Sequence, residues 1–369
     1  MTGKETILVD SSKLITEALV RGGADVFIGY PITPANLIYA YGQRRFPVFI
    51  AAPDEITTLQ WMSGFSTTGK LPVTATSFPG YALMIESINM AYMMELPMLI
   101  ILIQRLGPAT GTATCGAQGD LNVIFGTLSG GYPLPCISVS DMQDCWDLPV
   151  KALQMAVDLR TPVVLLTSKE EVMTLKSFDI SGLSEIDPVR RNIYSGETPY
   201  LPYAPMDNLV PDFLPVTSDD HQVRITASTH DKRGIIGNTA PEALENSRRL
   251  ANKIINNQKD YIFYQYDRQE EAKSLVITYG ITTQAAMDAV DEFRKIGNKS
   301  SLLILKTLSP LPDIYFEICS RYDKIIIAEE NLDGTLRKIM FGQAPGSRIC
   351  GVNRIGHMIE PAEILDALK

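Results

Sequence analysis

The chain has 369 residues, 45% of them hydrophobic and 20% charged, with a formal net charge of -9. That length predicts two or three domains, and the acidic balance excludes a nucleic-acid footprint, which needs a basic surplus against phosphates. The N-terminal MTGKETILVDSS has no apolar signal core, and the apolar runs fall far short of the roughly 20 residues of a membrane span, so a cytoplasmic protein with no membrane partner is expected.

From Ile15 to Ser168 apolar strands alternate with helical segments. A helix is predicted over Ser11–Arg21, with Asp10 or Ser11 as cap. Strands follow at Asp25–Gly29, Pro47–Ala51, Pro72–Thr76, Met98–Ile103, Cys136–Val139 and Pro162–Thr167, separated by helices such as Thr57–Ser66, Tyr81–Met94 and Leu148–Leu159. Continuous apolar strands in this rhythm indicate a parallel sheet covered on both faces. From Phe178 to about residue 222 the rhythm stops in a run rich in Pro, Tyr and Asp, which reads as a linker or an arm lying on another surface. Asn238–Lys259 is a polar helix with Thr239 as cap and Pro241 in its first turn. A second α/β block follows, with strands Leu275–Thr278, Leu302–Leu305 and Lys324–Ala328, a helix over Thr283–Ile296, another after Thr335, and a last one over Pro361–Leu368. The predicted division is 1–177, 178–268 and 269–369.

Unusual residues follow the first four of these strands. GYPITP (Gly29 to Pro34) closes the first with a single hydroxyl, Thr33, between two prolines that hold the loop in one shape. Asp54 and Glu55 follow the second, Ser77-Phe78-Pro79-Gly80 the third, and Gln104-Arg105 the fourth. In a parallel sheet these carboxyl ends share one edge and converge on one crevice. An arginine there offers a planar fork to a carboxylate. Glu55 alone also reads as a first-turn helix stabiliser; the four ends together read as a site. GFSTTGK (Gly64 to Lys70) matches a P-loop pattern, but it lies between a helix and a strand in the inverted order and continues with Leu71. The cysteines, Cys115, Cys136, Cys145, Cys319 and Cys350, carry no C-x-x-C, and the histidines no H-E-x-x-H, so reduced thiols and no metal site are expected.

The succession GYPITP, DEI, TATSFPGYALMIES and QRLGPATG with AQGDL resembles the α subunit of the 2-oxoacid:ferredoxin oxidoreductases, in particular the 2-oxoglutarate and branched-chain types. STHDKRG, YGITT, KTLSPLP and EEN extend the resemblance over nearly the whole chain. It implies a pyrimidine-type thiamine-diphosphate-binding fold, a three-layer α/β domain on a parallel sheet, followed by a smaller transketolase C-terminal-like α/β domain. It further implies that Glu55 bonds the aminopyrimidine of thiamine diphosphate and is catalytic. Pro31, Ile32 and Ser77 contact that cofactor, and Thr33 and Arg105 bind the 2-oxoacid. The reaction implied is coenzyme A-dependent oxidative decarboxylation, with 2-oxoglutarate as the default substrate and ferredoxin as the electron acceptor. The diphosphate–magnesium motif GDG…N and the cysteine ladders of iron–sulfur clusters are missing here. A β subunit is therefore expected to carry Mg2+ and a cluster, joined by γ and ferredoxin-like δ subunits, and the isolated chain is expected to be inactive. Three positions depart from the family pattern: Phe78 replaces a glycine, Leu106 follows Arg105, and TATCGAQ around Cys115 lacks a usual basic residue. These imply a more apolar or smaller pocket and leave branched-chain, aryl and other 2-oxoacids open. A non-catalytic subunit that kept the fold is the rival reading.

Overall fold

The structure, a computed structural model, describes residues 5–369. A short strand β1 (Thr6–Val9) leads into α1 (Ser11–Arg21), where the Asp10 carboxylate accepts from the Lys13 amide at 3.2 Å, the cap the sequence predicts. Then come β2 (Val26–Gly29), α2 (Asn36–Arg45), β3 (Val48–Ala51), α3 (Glu55–Thr67), β4 (Pro72–Thr76), α4 (Phe78–Met93) and β5 (Met98–Gln104). They are followed by α5 (Leu121–Gly126), β6 (Cys136–Ser138), α6 (Asp144–Asp158), β7 (Pro162–Ser168), α7 (Lys169–Met173) and β8 (Lys176–Asp179). α4 starts at Phe78, three positions before its predicted Tyr81, because Pro79 fits a first turn whose amides need no intrahelical acceptor. α6 starts a full turn before its predicted Leu148, where Asp141 accepts from the Asp144 amide at 2.8 Å, and carries Pro149 inside.

Residues 180–240 form no helix or strand and lie against the first block. Arg160, buried at the end of α6, holds three of their carbonyls, those of Pro202, Pro211 and Asp212, at 3.0, 3.3 and 2.8 Å. Arg191 returns the contact, reaching Asp25 at 2.5 Å. α8 (Pro241–Asn256) follows, entered from Ala240 with no side-chain cap; the predicted capper Thr239 lies one residue too early. It is anchored inward by a fully buried carboxylate, Glu95, paired with Lys253 at 2.6 Å and with Arg249.

The rest is a second α/β layer: β9 (Tyr264–Asp267), β10 (Ser274–Thr278), α9 (Thr283–Lys295), β11 (Ser300–Leu305), β12 (Thr307–Ser309), α10 (Asp313–Cys319), β13 (Lys324–Glu329), α11 (Thr335–Phe341), β14 (Ile349–Asn353) and α12 (Pro361–Leu368). Its sheet has the order β14-β13-β10-β11-β9, parallel except for β9. β12 leaves it and pairs antiparallel with β6, so the first sheet reads β12-β6-β7-β5-β4-β2-β3, otherwise parallel. The strands β5 and β7 are buried along their whole length, as a sheet covered on both faces requires. One buried apolar cluster runs from Val26 and Leu102 of the first sheet to Leu275 and Ile327 of the second. No helix among the described residues is long and apolar enough to cross a membrane.

Candidate active site

The first sheet reverses direction at β2. The chain goes from β2 out to β3, then returns to β4 on the other side. β2 and β4 pair only at Val26↔Pro72 and Phe27↔Val73, so their carboxyl ends part and leave a crevice at this switch point. The loops after β2, β3, β4 and β5 all open there.

Glu55 is the first residue of α3, set by Asp54, whose carboxylate accepts from the Thr57 amide at 2.7 Å. Its side chain is 6% exposed. Burial, reinforced by the neighbouring Asp54 charge, pushes its pKa above the ordinary carboxylate value, against a pull from its own amide. Its carboxylate has no hydrogen bond to another residue among those described, although most buried polar groups have one. What lies against it is backbone. A Cβ built on Gly80, in the first turn of α4, would sit 2.6 Å from Glu55 Oε1 and 2.7 Å from its Cγ, and closer still to Thr76 Oγ1. Thr76 and the Glu55 carboxylate together leave no room for a side chain at Gly80. The sequence marks it only as part of a Pro-Gly turn.

Arg105, just past β5, is 6% exposed and donates from Nη1 to the Thr33 carbonyl at 2.7 Å. Two of the residues expected at the substrate end thus meet, through the Thr33 backbone, while Arg105 Nε is sealed without a partner. Desolvation lowers the Arg105 pKa and the charge of Asp120 counters it. Asp120, in the AQGDL stretch, carries no sequence signal of its own as a site residue. It is buried with Oδ2 unpartnered, and desolvation pushes its pKa up to about 7 against the pull of Arg105. Ser77 precedes α4 but its hydroxyl caps nothing and is also sealed and unpartnered. Ile32 packs on the core, Pro31 and Tyr30 are exposed, and Phe78 and Leu106 are half-buried. Cys115 is half-buried and its thiol turns to the Gly356 carbonyl at 3.7 Å, at the second layer.

A carboxyl bonded by no other described residue, a glycine pressed against it and an orphaned serine hydroxyl thus lie at this crevice. The family profile of the pyruvate flavodoxin/ferredoxin oxidoreductase thiamine diphosphate-binding domain matches residues 17–249. The chain belongs to that family. It is a 2-oxoacid:ferredoxin oxidoreductase α subunit, similar over its length to the 2-oxoglutarate synthase subunit KorA of Methanocaldococcus jannaschii, with 29% identity covering 97% of each chain. KorA of Mycobacterium tuberculosis is 28% identical over 87% of this chain and 50% of its own. The 2-oxoglutarate:ferredoxin oxidoreductase of Magnetococcus marinus, solved with 2-oxoglutarate, coenzyme A and succinyl-CoA bound, superposes with a TM-score of 0.92 at 27% identity. This chain covers 65% of that chain, and 99% of this chain is covered. A split-gene transketolase at 13% identity and TM-score 0.53 shares the fold. Among the described residues of this α subunit no group of three or more His, Cys, Asp or Glu could hold a metal ion.

Proposed function

We propose that this chain supplies the pyrimidine half of a thiamine-diphosphate site and catalyses, with a β subunit, coenzyme A-dependent oxidative decarboxylation of a 2-oxoacid to acyl-CoA, CO2 and reduced ferredoxin. The observation that carries this is the Glu55 carboxylate, on a residue only 6% exposed, bonded by no other described residue and pressed on Gly80. Thiamine diphosphate supplies the carbon nucleophile and the electron sink that decarboxylation of a 2-oxoacid needs. Glu55 would bond the ring nitrogen, and burial, which raises its pKa, would help it hold and pass a proton at that atom. Ser77 offers a hydroxyl, and Pro31 and Ile32 wall the loop. Arg105 and Thr33 take the carboxylate end of the 2-oxoacid, with Asp120 balancing the buried guanidinium.

α3 and α4 both start at the crevice and carry exposed apolar residues on their outer face. Ile56, Trp61, Leu83 and Met90 are between 38% and 51% exposed. Helices apolar on both faces belong between two layers, and an exposed apolar patch of this kind marks an interface. That supports a β subunit closing over the crevice with the diphosphate, Mg2+ and an iron–sulfur cluster, with γ and δ subunits in the same assembly. The KorA names of the relatives favour 2-oxoglutarate as substrate. A second reading, a branched-chain or aryl 2-oxoacid, is favoured by half-buried Phe78 and Leu106 and by the absence of any Lys or Arg between Leu106 and Asp120.

Glu55→Gln in the assembled complex tests the reading. It keeps shape and removes the proton acceptor. The expected result is cofactor content at the wild-type level and dye-linked turnover lower by about 10²- to 10⁴-fold, the usual range for a general acid–base group. Full turnover would sink the catalytic reading and leave a subunit that kept only the fold. A panel of 2-oxoacids in the same assay decides the substrate.

A further inference from the structure

The second sheet has a switch point of its own. Its chain runs from β10 to β11 on one side and then returns to β13 on the other side of β10. The crevice outside the carboxyl ends of β10 and β13 is where an open α/β sheet takes its ligand. Here that place is taken by Gln118. Its amide group donates to the Tyr279 carbonyl, just past β10, at 2.6 Å. Its Oε1 accepts from the Thr282 hydroxyl at 2.6 Å and from the Glu330 amide, just past β13, at 2.8 Å. Its backbone is held in the same way. The Gln118 amide donates to the Glu330 carbonyl at 2.7 Å, and its carbonyl accepts from Asn331 Nδ2 at 3.1 Å and from the Tyr279 hydroxyl at 3.2 Å. The residue is fully buried, with both Oε1 lone pairs and one of the two amide protons bonded, much as a bound ligand's would be.

Gln118 also belongs to the first crevice. It lies on the loop that leaves Arg105 and ends at α5. The loop is pinned near its base, with the Leu106 amide donating to the Cys115 carbonyl at 2.8 Å and the Thr112 amide to the Leu106 carbonyl at 3.0 Å. Past Gln118 it returns to β5, where the Asp120 amide meets Gln104 Oε1 at 3.3 Å. Between these points residues 107–112 are exposed. A surface loop of this kind moves unless something rigid holds it, and a misplacement of about 1 Å at a substrate-binding group costs on the order of a hundredfold in rate.

We propose that Gln118 is a positioning residue: seated in the second sheet's crevice in place of a ligand, it fixes the loop that aims Arg105 at the 2-oxoacid carboxylate. The C-terminal layer is then a brace for the substrate end of the site, with its own binding crevice filled from within. This rests on Arg105 being the group that takes the carboxylate.

Two variants of the assembled complex test it. Gln118→Glu keeps the shape but puts an acceptor where the Tyr279 carbonyl needs a donor, and Thr282→Val removes one donor with little change of volume. In Gln118→Glu, hydrogen exchange over residues 106–117 quickens by about tenfold or more. The KM for the 2-oxoacid rises about tenfold while cofactor content and the KM for coenzyme A stay at wild type. Thr282→Val shows both effects in smaller measure. Unchanged exchange and KM in both variants would overturn the proposal. So would an equal fall of every parameter, which marks support of the fold alone. Faster exchange with an unmoved 2-oxoacid KM would also overturn it. In that case an Arg105→Lys complex with wild-type KM places the fault in the reading of the site, and one with a raised KM places it in the coupling of Gln118 to Arg105.

Discussion

Gly80→Ala separates the needs of the helix from the needs of the site. Gly80 lies in the first turn of α4 with no left-handed backbone, so on propensity alone alanine would stabilise the helix by up to about 1 kcal/mol. The added methyl would lie 2.6 Å from Glu55 Oε1. An ordinary carbon–oxygen contact needs about 3.4 Å, so the carboxylate must withdraw by about 0.8 Å or α4 must shift by as much. Thr76, closer still and fully buried, has no room to yield. Overpacking of this size costs about 1–3 kcal/mol, which offsets the helix gain and leaves a folded chain. On the proposed role of Glu55, displacing its carboxylate by nearly 1 Å costs about a hundredfold in turnover, or about 2.7 kcal/mol of barrier. The assay is dye-linked turnover of the assembled complex beside thermal unfolding. Thr76→Ala is expected to restore part of the loss in the double variant, because it removes the oxygen that blocks the methyl. Wild-type turnover in Gly80→Ala would refute the close approach of Glu55 as the reason for the glycine.

Two further outcomes follow from buried charges. Glu95 is held well below the usual carboxylate range because the charges of Lys253 and Arg249 outweigh its desolvation. Lys253→Met leaves that carboxylate one cation short and is expected to cost about 3–5 kcal/mol, read as a lower urea midpoint; a loss below about 1 kcal/mol would show that Arg249 suffices. Glu171 is pushed by burial from 4.5 up to about 8, with Thr167 and Ser168 pulling it back only in part. The native state then binds more protons than the unfolded state across that window, so this group makes stability fall as pH rises through it. Glu171→Gln is expected to flatten the pH dependence of the melting temperature between those limits, and parallel curves for the two proteins would rule the assignment out.

Much of the fold was legible because strand and helix periods are local. α1, β4 and α12 begin and end where the pattern says. Elements with weak patterns are not legible in the sequence, among them β9, which lies in the stretch expected as a linker, and β14. The antiparallel pair β1 and β8 joins residues from opposite ends of the first block, and each strand is only four residues long. β12 is the instructive case: three residues of the KTLSPLP motif sit at the edge of a sheet whose other strands lie far upstream. No window of sequence contains both partners of such a pairing.

The site divides in the same way. Alternation of strands with helices, and the unusual residues after four strands, determine from the sequence alone that Thr33, Glu55, Ser77 and Arg105 share one edge, because a parallel sheet puts its carboxyl ends on one side. Only the tertiary structure decides what each of them meets. Arg105 takes a backbone carbonyl and faces Asp120, Glu55 meets a glycine where any side chain would intrude, and Gln118 bonds to Glu330, 212 residues away. Those contacts are set by how closely two layers approach, a distance fixed by the packing of the whole core and by nothing within reach of a local pattern.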